Sequence, residues 1–264
     1  MIDEVTHTLV RAAEIAITPR FRRLTARDVA EKAPGDLVTI ADHEAEQLIS
    51  HGLREILDIP VVGEEAAAED PSLLAELGKQ ACWLVDPIDG TSNFVAGRSE
   101  YAVMAALLRN GQPEAGWIIL PESGRRYVAE RGSGAFRDGV RLHRPPPLPE
   151  AGRLRGAAPT RRLTEQEKTQ LSEVGKRFAS FGPGALSAGV NYTRLLDGHL
   201  DFVLYQRSLP WDHAAGTLLL SEAGGITRRP DGKSYRPTQN PINQLLNAAD
   251  HATWEAVRAV FWHN

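Results

Sequence analysis

The chain has 264 residues, of which 42% are hydrophobic and 24% are charged, and its formal net charge is -4. These values are typical of a folded globular protein, and the acidic balance argues against a dedicated nucleic-acid-binding protein. Cys82 is the only cysteine, which excludes an intramolecular disulfide and a cysteine-based zinc site. No basic segment leads into an apolar stretch at the N-terminus, and no apolar run could span a bilayer. We therefore expect a cytoplasmic protein without a membrane segment.

The first part of the chain predicts two helices followed by a sheet. Helical spacing of apolar residues indicates one helix from Ile2 to about Pro19 and another from Asp42 to Leu57. Turn signals at Asn110-Gly111 and Asp138-Gly139 indicate hairpins. Short runs with strand character lie at Pro60–Val62, Cys82–Val85, Ala102–Arg109, Ala115–Leu120 and Arg126–Glu130. The pattern predicts a largely antiparallel sheet covered by the two helices.

A proline-rich segment, Arg144–Pro149, is the best candidate for a domain boundary because consecutive prolines continue neither a helix nor a central strand. It divides the chain into an α+β half, residues 1–143, and an α/β half, residues 144–264. Alternating strands and helices are expected in the second half. The strands are Leu154–Ala158, Leu200–Leu204 and Leu245–Ala248, and the helices are Thr164–Ala179, Asn191–Leu196, Trp211–Ala223 and a last one through Phe261.

The segment from Trp83 to Asn93 is the most informative for chemistry. An apolar strand leads to Asp86 and Asp89, with proline and glycine turning the backbone around them. Two carboxylates with an inward-pointing carbonyl between them make an all-oxygen pocket that suits a hard cation such as magnesium. Thr91 and the residues after it favour a helix start, where backbone N–H groups attract an anion such as phosphate. The alternative is a surface turn, for which Asp, Pro and Gly are also common.

Two other segments place single carboxylates after apolar or small residues. Glu64 follows the apolar run Val61–Gly63, and Asp212 opens the segment Trp211–Gly216. Either could join the same cation site. Each also has an ordinary structural explanation, because acidic residues are common at helix starts and as helix caps.

Taken in order along the chain, these segments resemble the inositol monophosphatase superfamily. The resemblance covers nearly the whole chain and is carried by Asp36–Thr39 with Ala41-Asp42, Gly63-Glu64-Glu65, Asp86–Thr91, Gly132–Phe136 and Trp211-Asp212 through Gly225. It implies a layered αβαβα sandwich that combines α+β and α/β character, with the active site between the halves. It also implies a magnesium-dependent, lithium-sensitive phosphatase that assembles as a homodimer.

The resemblance also assigns the metal ligands. It implies that Glu64, Asp86 and the Ile88 carbonyl hold a first magnesium ion, and that Asp86, Asp89 and Asp212 hold a second. A weaker third ion would also involve Glu64. Asp212, alone among these ligands, comes from the second half of the chain.

Catalytic roles follow from the same resemblance. Asp42 and Thr91 resemble the pair that orients the attacking water, beside the metal ligand Glu64. The backbone N–H groups of Gly90 and Thr91 are expected to bind phosphate oxygens.

The expected substrate contacts are Ser187, Ala188, Tyr205, Arg207 and Asp212. Tyr205 stands where members that act on inositol phosphates carry a glutamate, which argues against that substrate. Arg207 could instead recognise another anionic group, although a solvated loop arginine explains it equally well.

The sequence therefore predicts magnesium-dependent hydrolysis of a small phosphate monoester by a metal-activated water. Within the same family, histidinol-phosphate phosphatase is the alternative activity. From a different class, the chain could act mainly as a binding factor associated with RNA or transcription, although nucleic acid is not the expected partner. The complete set of carboxylates favours the enzyme.

Overall fold

The structure, a computed structural model, describes residues 1–161, 163–239 and 242–262. Its helices are α1 (Ile2–Ala12), α2 (Ile40–Ile56), α3 (Glu64–Glu69), α4 (Thr91–Val95), α5 (Glu165–Gly175), α6 (Ala188–Leu196), α7 (Pro210–Glu222) and α8 (His251–Trp262). The strands of the first part are β1 (Val29–Ala33), β2 (Asp36–Thr39), β3 (Val61–Gly63), β4 (Ala81–Asp89), β5 (Ala102–Arg109), β6 (Gln112–Leu120), β7 (Arg125–Glu130), β8 (Gly134–Arg137) and β9 (Val140–Arg141). Those of the second part are β10 (Arg155–Ala157), β11 (Ser180–Gly182), β12 (Phe202–Tyr205), β13 (Ile226–Arg228) and β14 (Leu245–Ala248).

A seven-stranded sheet runs in the order β3-β4-β5-β6-β7-β8-β9. Only the β3–β4 pair is parallel, and the other pairs are antiparallel. Successive β4 side chains point to opposite faces. Trp83 and Val85 pack with α1 and α2, while Cys82 and Leu84 join the core formed with α6 and α7. Burial on both faces explains why the end of β4 is an uninterrupted apolar run.

A five-stranded sheet lies on the other side of α6 and α7, in the order β11-β10-β12-β14-β13. Its inner face, including Val203 and Leu245, shares a core with those helices, and its outer face packs against α5 and α8. The layers are therefore α1 and α2, the large sheet, α6 and α7, the small sheet, and α5 and α8. This arrangement confirms the expected αβαβα sandwich.

The structure contains each predicted helix and strand, with different bounds at several ends. Helix α6 begins three residues before the predicted start because Ser187 caps it, accepting a hydrogen bond from Val190 N at 3.1 Å. The β1–β2 hairpin and strands β11 and β13 were not predicted, since short polar strands carry little periodicity. Residues 142–150 form neither helix nor strand. The division at that segment remains a prediction.

None of the helices in the described ranges has the length and apolar character needed to cross a membrane.

Candidate active site

A cavity of about 210 Å³ opens where the two sheets and the start of α7 meet. Both parts of the chain line it, so the fold gathers residues that are far apart in sequence. The predicted site residues that line it are Glu64, Asp86, Ile88, Asp89, Gly90, Thr91, Ser187, Ala188, Tyr205, Arg207 and Asp212. Asp42 lies directly behind this lining, 3.2 Å from the Thr91 hydroxyl.

The surroundings of Asp86 disfavour the charged form of its carboxylate. It is 1% exposed, and its Oδ1 atom has no hydrogen-bond partner in the described structure. Burial, followed by the negative charges of Glu64, Asp89 and Asp212, raises the pKa of Asp86 well above its ordinary value. Burying a carboxylate without a compensating positive charge destabilises the folded protein, and a cation in the cavity would remove that destabilisation. The oxygen-rich surroundings therefore fit magnesium.

Asp89 joins the end of β4 to the start of α6. Its Oδ2 accepts hydrogen bonds from Ser187 Oγ at 2.5 Å and from Gly189 N at 2.7 Å, and its Oδ1 accepts one from Ala188 N at 2.9 Å. Burial raises the pKa of Asp89 to about 6, although these three bonds oppose the shift. Oδ1 keeps a lone pair that could bind a metal ion. Asp89 therefore links the proposed metal site to Ser187 and Ala188.

The Thr91 hydroxyl lies between two acceptors, 3.0 Å from the Ile88 carbonyl oxygen and 3.2 Å from Asp42 Oδ1. It carries one proton and donates to one of them at a time. The other oxygen of Asp42 accepts bonds from Thr39 N at 2.8 Å and Thr39 Oγ1 at 2.6 Å. Burial raises the pKa of Asp42 to about 7, against the effect of these bonds. A carboxylate with that pKa can accept a proton near neutral pH.

Gly90 is required by its conformation and by its surroundings. Its φ is +94°, and a Cβ at this position would lie 3.0 Å from Leu186 O and from Ser187 Cβ. Only glycine adopts this conformation readily and allows the loop before α6 to approach so closely. The turn after β4 can therefore present its backbone to the cavity.

Lys32, on β1, holds the two glutamates at the start of α3. Its Nζ atom lies 2.9 Å from Glu64 Oε1 and 2.9 Å from each carboxylate oxygen of Glu65. Burial opposes the charge on Lys32, but the two carboxylates outweigh it and raise its pKa. In the described ranges, no three Asp, Glu, His or Cys side chains are grouped as a metal site.

Glu46 was missed by sequence reasoning. From the buried face of α2, its carboxylate accepts hydrogen bonds from Glu65 N at 2.8 Å and Ala66 N at 2.9 Å. A Cβ on Gly63 would lie 2.2 Å from the carboxyl carbon of Glu46, so this position also requires glycine. Glu46 thereby fixes the start of α3, where Glu64 lies. The one signal in the sequence was an acidic residue on an otherwise apolar helix face.

His213 follows Asp212 on the first turn of α7. It lines the cavity, and its Nε2 atom lies 3.1 Å from the Arg207 carbonyl oxygen. Its Nδ1 atom lies 3.0 Å from the Tyr192 hydroxyl. Burial lowers the pKa of His213 to about 3, so the ring is neutral. Because a carbonyl only accepts, Nε2 carries the proton, and Nδ1 is then an acceptor. The Tyr192 hydroxyl has one proton, which it can donate either to this Nδ1 atom or to Asn247 Oδ1 at 3.1 Å.

Arg161 also lines this cavity. Its neighbour Arg162 lies outside the described residues.

Comparison with known proteins agrees with the fold and the site. The model of the inositol monophosphatase family matches residues 1–261. A Thermotoga maritima protein named fructose-1,6-bisphosphatase/inositol-1-monophosphatase is 32% identical over 211 residues, which cover 78% of this chain and 77% of that protein. Nus factor SuhB of Escherichia coli K12 is 30% identical over 243 residues, 88% of each protein. The solved structure of a Thermotoga maritima IMPase aligns with a TM-score of 0.81 at 26% identity, over 98% of this chain and 96% of that one. The chain therefore belongs to the inositol monophosphatase family, a family of metal-dependent phosphatases.

Proposed function

We propose that the chain hydrolyses a small phosphate monoester with the help of two to three magnesium ions. Glu64, Asp86, the Ile88 carbonyl, Asp89 and Asp212 would hold these ions. The observation that carries the proposal is the buried Oδ1 atom of Asp86, which has no hydrogen-bond partner among the described residues, in a carboxylate that lines the cavity together with Glu64, Asp89 and Asp212. Such an arrangement is costly in a protein that binds no cation.

Bound magnesium would lower the pKa of a water molecule and stabilise negative charge on the phosphate. The protein contributes the proton acceptor. Thr91 Oγ1 donates its proton to Asp42 Oδ1 and can then accept a hydrogen bond from the attacking water. Asp42, whose pKa is about 7, is suited to receive the proton in turn. The backbone N–H groups of Gly90 and Thr91 would bind the phosphate oxygens.

The alcohol part of the substrate would lie against Ser187, Ala188, Tyr205 and Arg207. Asp212 would contact both the metal ions and the alcohol part. All five residues line the cavity on the side of the small sheet and the start of α6. Because Asp89 bonds to residues 187–189, a bound ion would help to position this side as well.

The test is phosphate release from a panel of inositol phosphates, histidinol phosphate, nucleotides and sugar phosphates, with magnesium and with a chelator. We expect magnesium-dependent release that Asp212→Asn and Asp89→Asn suppress. The matched control is Asp70→Asn, an exposed carboxylate that accepts a hydrogen bond from Ser72 N and does not line the cavity. A protein that releases phosphate from no monoester in the presence of magnesium would contradict the proposal.

The similarity to SuhB supports one alternative of a different class, a binding factor associated with RNA or transcription. It predicts salt-resistant binding of RNA or a transcription complex by the Asp212→Asn variant. Loss of phosphate release with no such binding leaves the enzyme as the function.

Two further parts of the proposal rest on family membership. We expect inhibition by lithium and assembly as a homodimer. Inhibition kinetics and the mass of the particle in solution test them separately. A cytoplasmic location remains a prediction from the sequence.

A further inference from the structure

We propose that the cavity takes a phosphate monoester whose alcohol part is a small apolar group, such as a hydrocarbon ring. This inference rests on the proposed phosphatase function and adds the chemical class of the alcohol. A cavity of about 210 Å³ that holds both the phosphate and the alcohol suits a small group. The alcohol would be held by contact with apolar side chains rather than by hydrogen bonds. These side chains are Leu37, Leu163, Leu186 and Leu209.

The four leucines share two properties besides their place in the lining of the cavity. All of them are partly exposed. None of them is among the residues that form, or pack against, the hydrophobic cores of the described structure. A single exposed leucine is common on a protein surface, whereas an apolar surface assembled from four separate segments around one cavity indicates a binding surface. Pro159, which is also partly exposed, adds to this lining.

Leu186 and Leu209 are placed by the same contacts that build the candidate site. Leu186 directly precedes Ser187, whose Oγ donates to Asp89 Oδ2 at 2.5 Å. A Cβ on Gly90 would lie 3.0 Å from the Leu186 carbonyl oxygen, so Leu186 packs against the turn that is proposed to bind phosphate. Leu209 is the N-cap residue of α7. The alcohol part of a phosphate held at Gly90 would therefore begin close to Leu186.

Leu163 lies in the loop after β10, directly before Thr164, which caps α5. An apolar residue before a helix cap often packs against the fourth residue of the helix. In α5 that residue is Lys168, so this explanation does not apply to Leu163. The Leu163 N–H donates to the Thr160 carbonyl oxygen at 3.0 Å, and this bond closes the turn that carries Leu163. An apolar ligand in the cavity would give Leu163 a packing partner.

Two polar side chains among the expected alcohol contacts use their hydroxyl protons within the protein. The Ser187 hydroxyl donates to Asp89 and accepts a hydrogen bond from Val190 N at 3.1 Å. The Tyr205 hydroxyl donates to the Ala188 carbonyl oxygen at 3.4 Å. A polyol that enters the cavity loses hydrogen bonds to water, and groups that are already bonded replace them poorly. An apolar ring has no such bonds to lose, and its removal from water favours binding.

The test compares two phosphate monoesters built on the same six-membered ring. Cyclohexyl phosphate carries no other polar group, whereas myo-inositol 1-phosphate carries a hydroxyl on every other ring carbon. Because these hydroxyls withdraw electrons, inositol is the better leaving group, so intrinsic reactivity favours the inositol phosphate. In steady-state assays of the full chain with magnesium, we expect the wild type to prefer cyclohexyl phosphate by about ten- to a hundredfold in kcat/KM, mainly through KM.

Leu186→Asn and Leu163→Asn each replace an apolar side chain with a polar one of similar size. Each should lower the ratio of kcat/KM, cyclohexyl over inositol, by about tenfold, mainly by raising KM for cyclohexyl phosphate. The matched control is Leu74→Asn, which should keep the wild-type ratio. Leu74 is 41% exposed on the 3-10 turn Pro71–Gly78 and does not line the cavity.

A wild type that prefers the inositol phosphate, or that has no preference, would overturn the apolar alcohol and leave the phosphatase intact. Variants that lower kcat/KM equally for both substrates would do the same. Phosphate release from neither substrate, nor from any monoester of the wider panel, would overturn both proposals. Thermal melting checks the fold of each variant. If Leu186→Asn is unstable, Leu163→Asn decides the question, because Leu163 lies in a loop outside the cores.

Discussion

The two walls of the cavity are built in different ways. On the carboxylate wall, buried acids are bonded to the ends of secondary-structure elements. Asp42 accepts two hydrogen bonds from Thr39, the residue that caps α2. Asp89 accepts three bonds from the start of α6 and its neighbouring residue, and Glu46 accepts two from the start of α3. On the opposite wall, Arg161 and Arg207 stand on loops that follow β10 and β12, and the side chain of Arg161 is exposed.

Because of this difference, the residues proposed to carry out the reaction and those proposed to select the substrate lie in different structural settings. A change on the carboxylate wall alters burial, hydrogen bonds and charge together, so it affects both stability and chemistry. A change on the arginine wall alters an exposed loop, which costs the fold little. One carboxylate wall could therefore serve several substrates while the loops diverge. The following three predictions test whether the carboxylate wall behaves in this way.

The largest effect is expected for Asp86→Asn. Loss of the shared metal ligand should lower kcat/KM about a hundred- to a thousandfold. The free energy of unfolding without magnesium should not fall, because the variant no longer buries a charge whose Oδ1 atom has no partner. Activity assays and thermal melts with and without magnesium measure both. A variant that is active but unstable would mean that Asp86 is a structural residue.

Glu46→Gln should have the next largest effect. A glutamine has one carbonyl oxygen where the carboxylate has two, so the N–H of Glu65 or of Ala66 loses its acceptor. We expect a loss of about 1–3 kcal/mol in the free energy of unfolding and about tenfold weaker magnesium activation. The control is Glu55→Gln, an exposed glutamate on the same helix. Equal magnesium dependence in the variant and the wild type would show that Glu46 does not position Glu64.

The third prediction concerns the pH dependence of stability. Because burial raises the pKa of Asp42 from 3.8 to about 7, the folded metal-free protein keeps a proton that the unfolded chain releases at lower pH. The contribution of Asp42 to the free energy of unfolding therefore falls as pH rises from about 4 to 7, by at most about 1.4 kcal/mol per unit, and is constant above. Denaturation of wild type and Asp42→Asn in a chelator should show the variant gaining relative stability over this range. A constant difference would mean that Asp42 stays ionised.

Much of the carboxylate wall was predictable because its parts are local. The segment Asp86–Thr91 combines a buried strand, a turn and a helix start within a few residues, and the structure keeps that order. Predicted strand ends were less accurate. Strand β4 continues through Asp89 rather than stopping at Val85, because its end still pairs with β5 across an irregularity in register. Pairing of this kind depends on the partner strand and leaves no local pattern.

The residues that sequence reasoning missed act through distant contacts. Glu46 and Glu65 are 19 positions apart, and Tyr192 and His213 are 21 apart. A lone acid on an apolar helix face or a histidine after an aspartate has many ordinary explanations. Which explanation holds depends on the backbone group that packs opposite.

The amino-acid sequence by itself determined the family, because ordered motifs are local properties, and through that resemblance it predicted the layered fold and the acids of the carboxylate wall other than Glu46. Tertiary structure alone decided that one oxygen of Asp86 has no hydrogen-bond partner among the described residues, that Lys32 holds Glu64 and Glu65, and that Arg161 and Arg207 line one cavity. Each of these depends on burial or on strand register, which bring together residues that the chain order keeps apart. The motif at Asp86–Thr91 indicates the reaction, whereas residues in the loops after β10 and β12 complete the lining of the cavity.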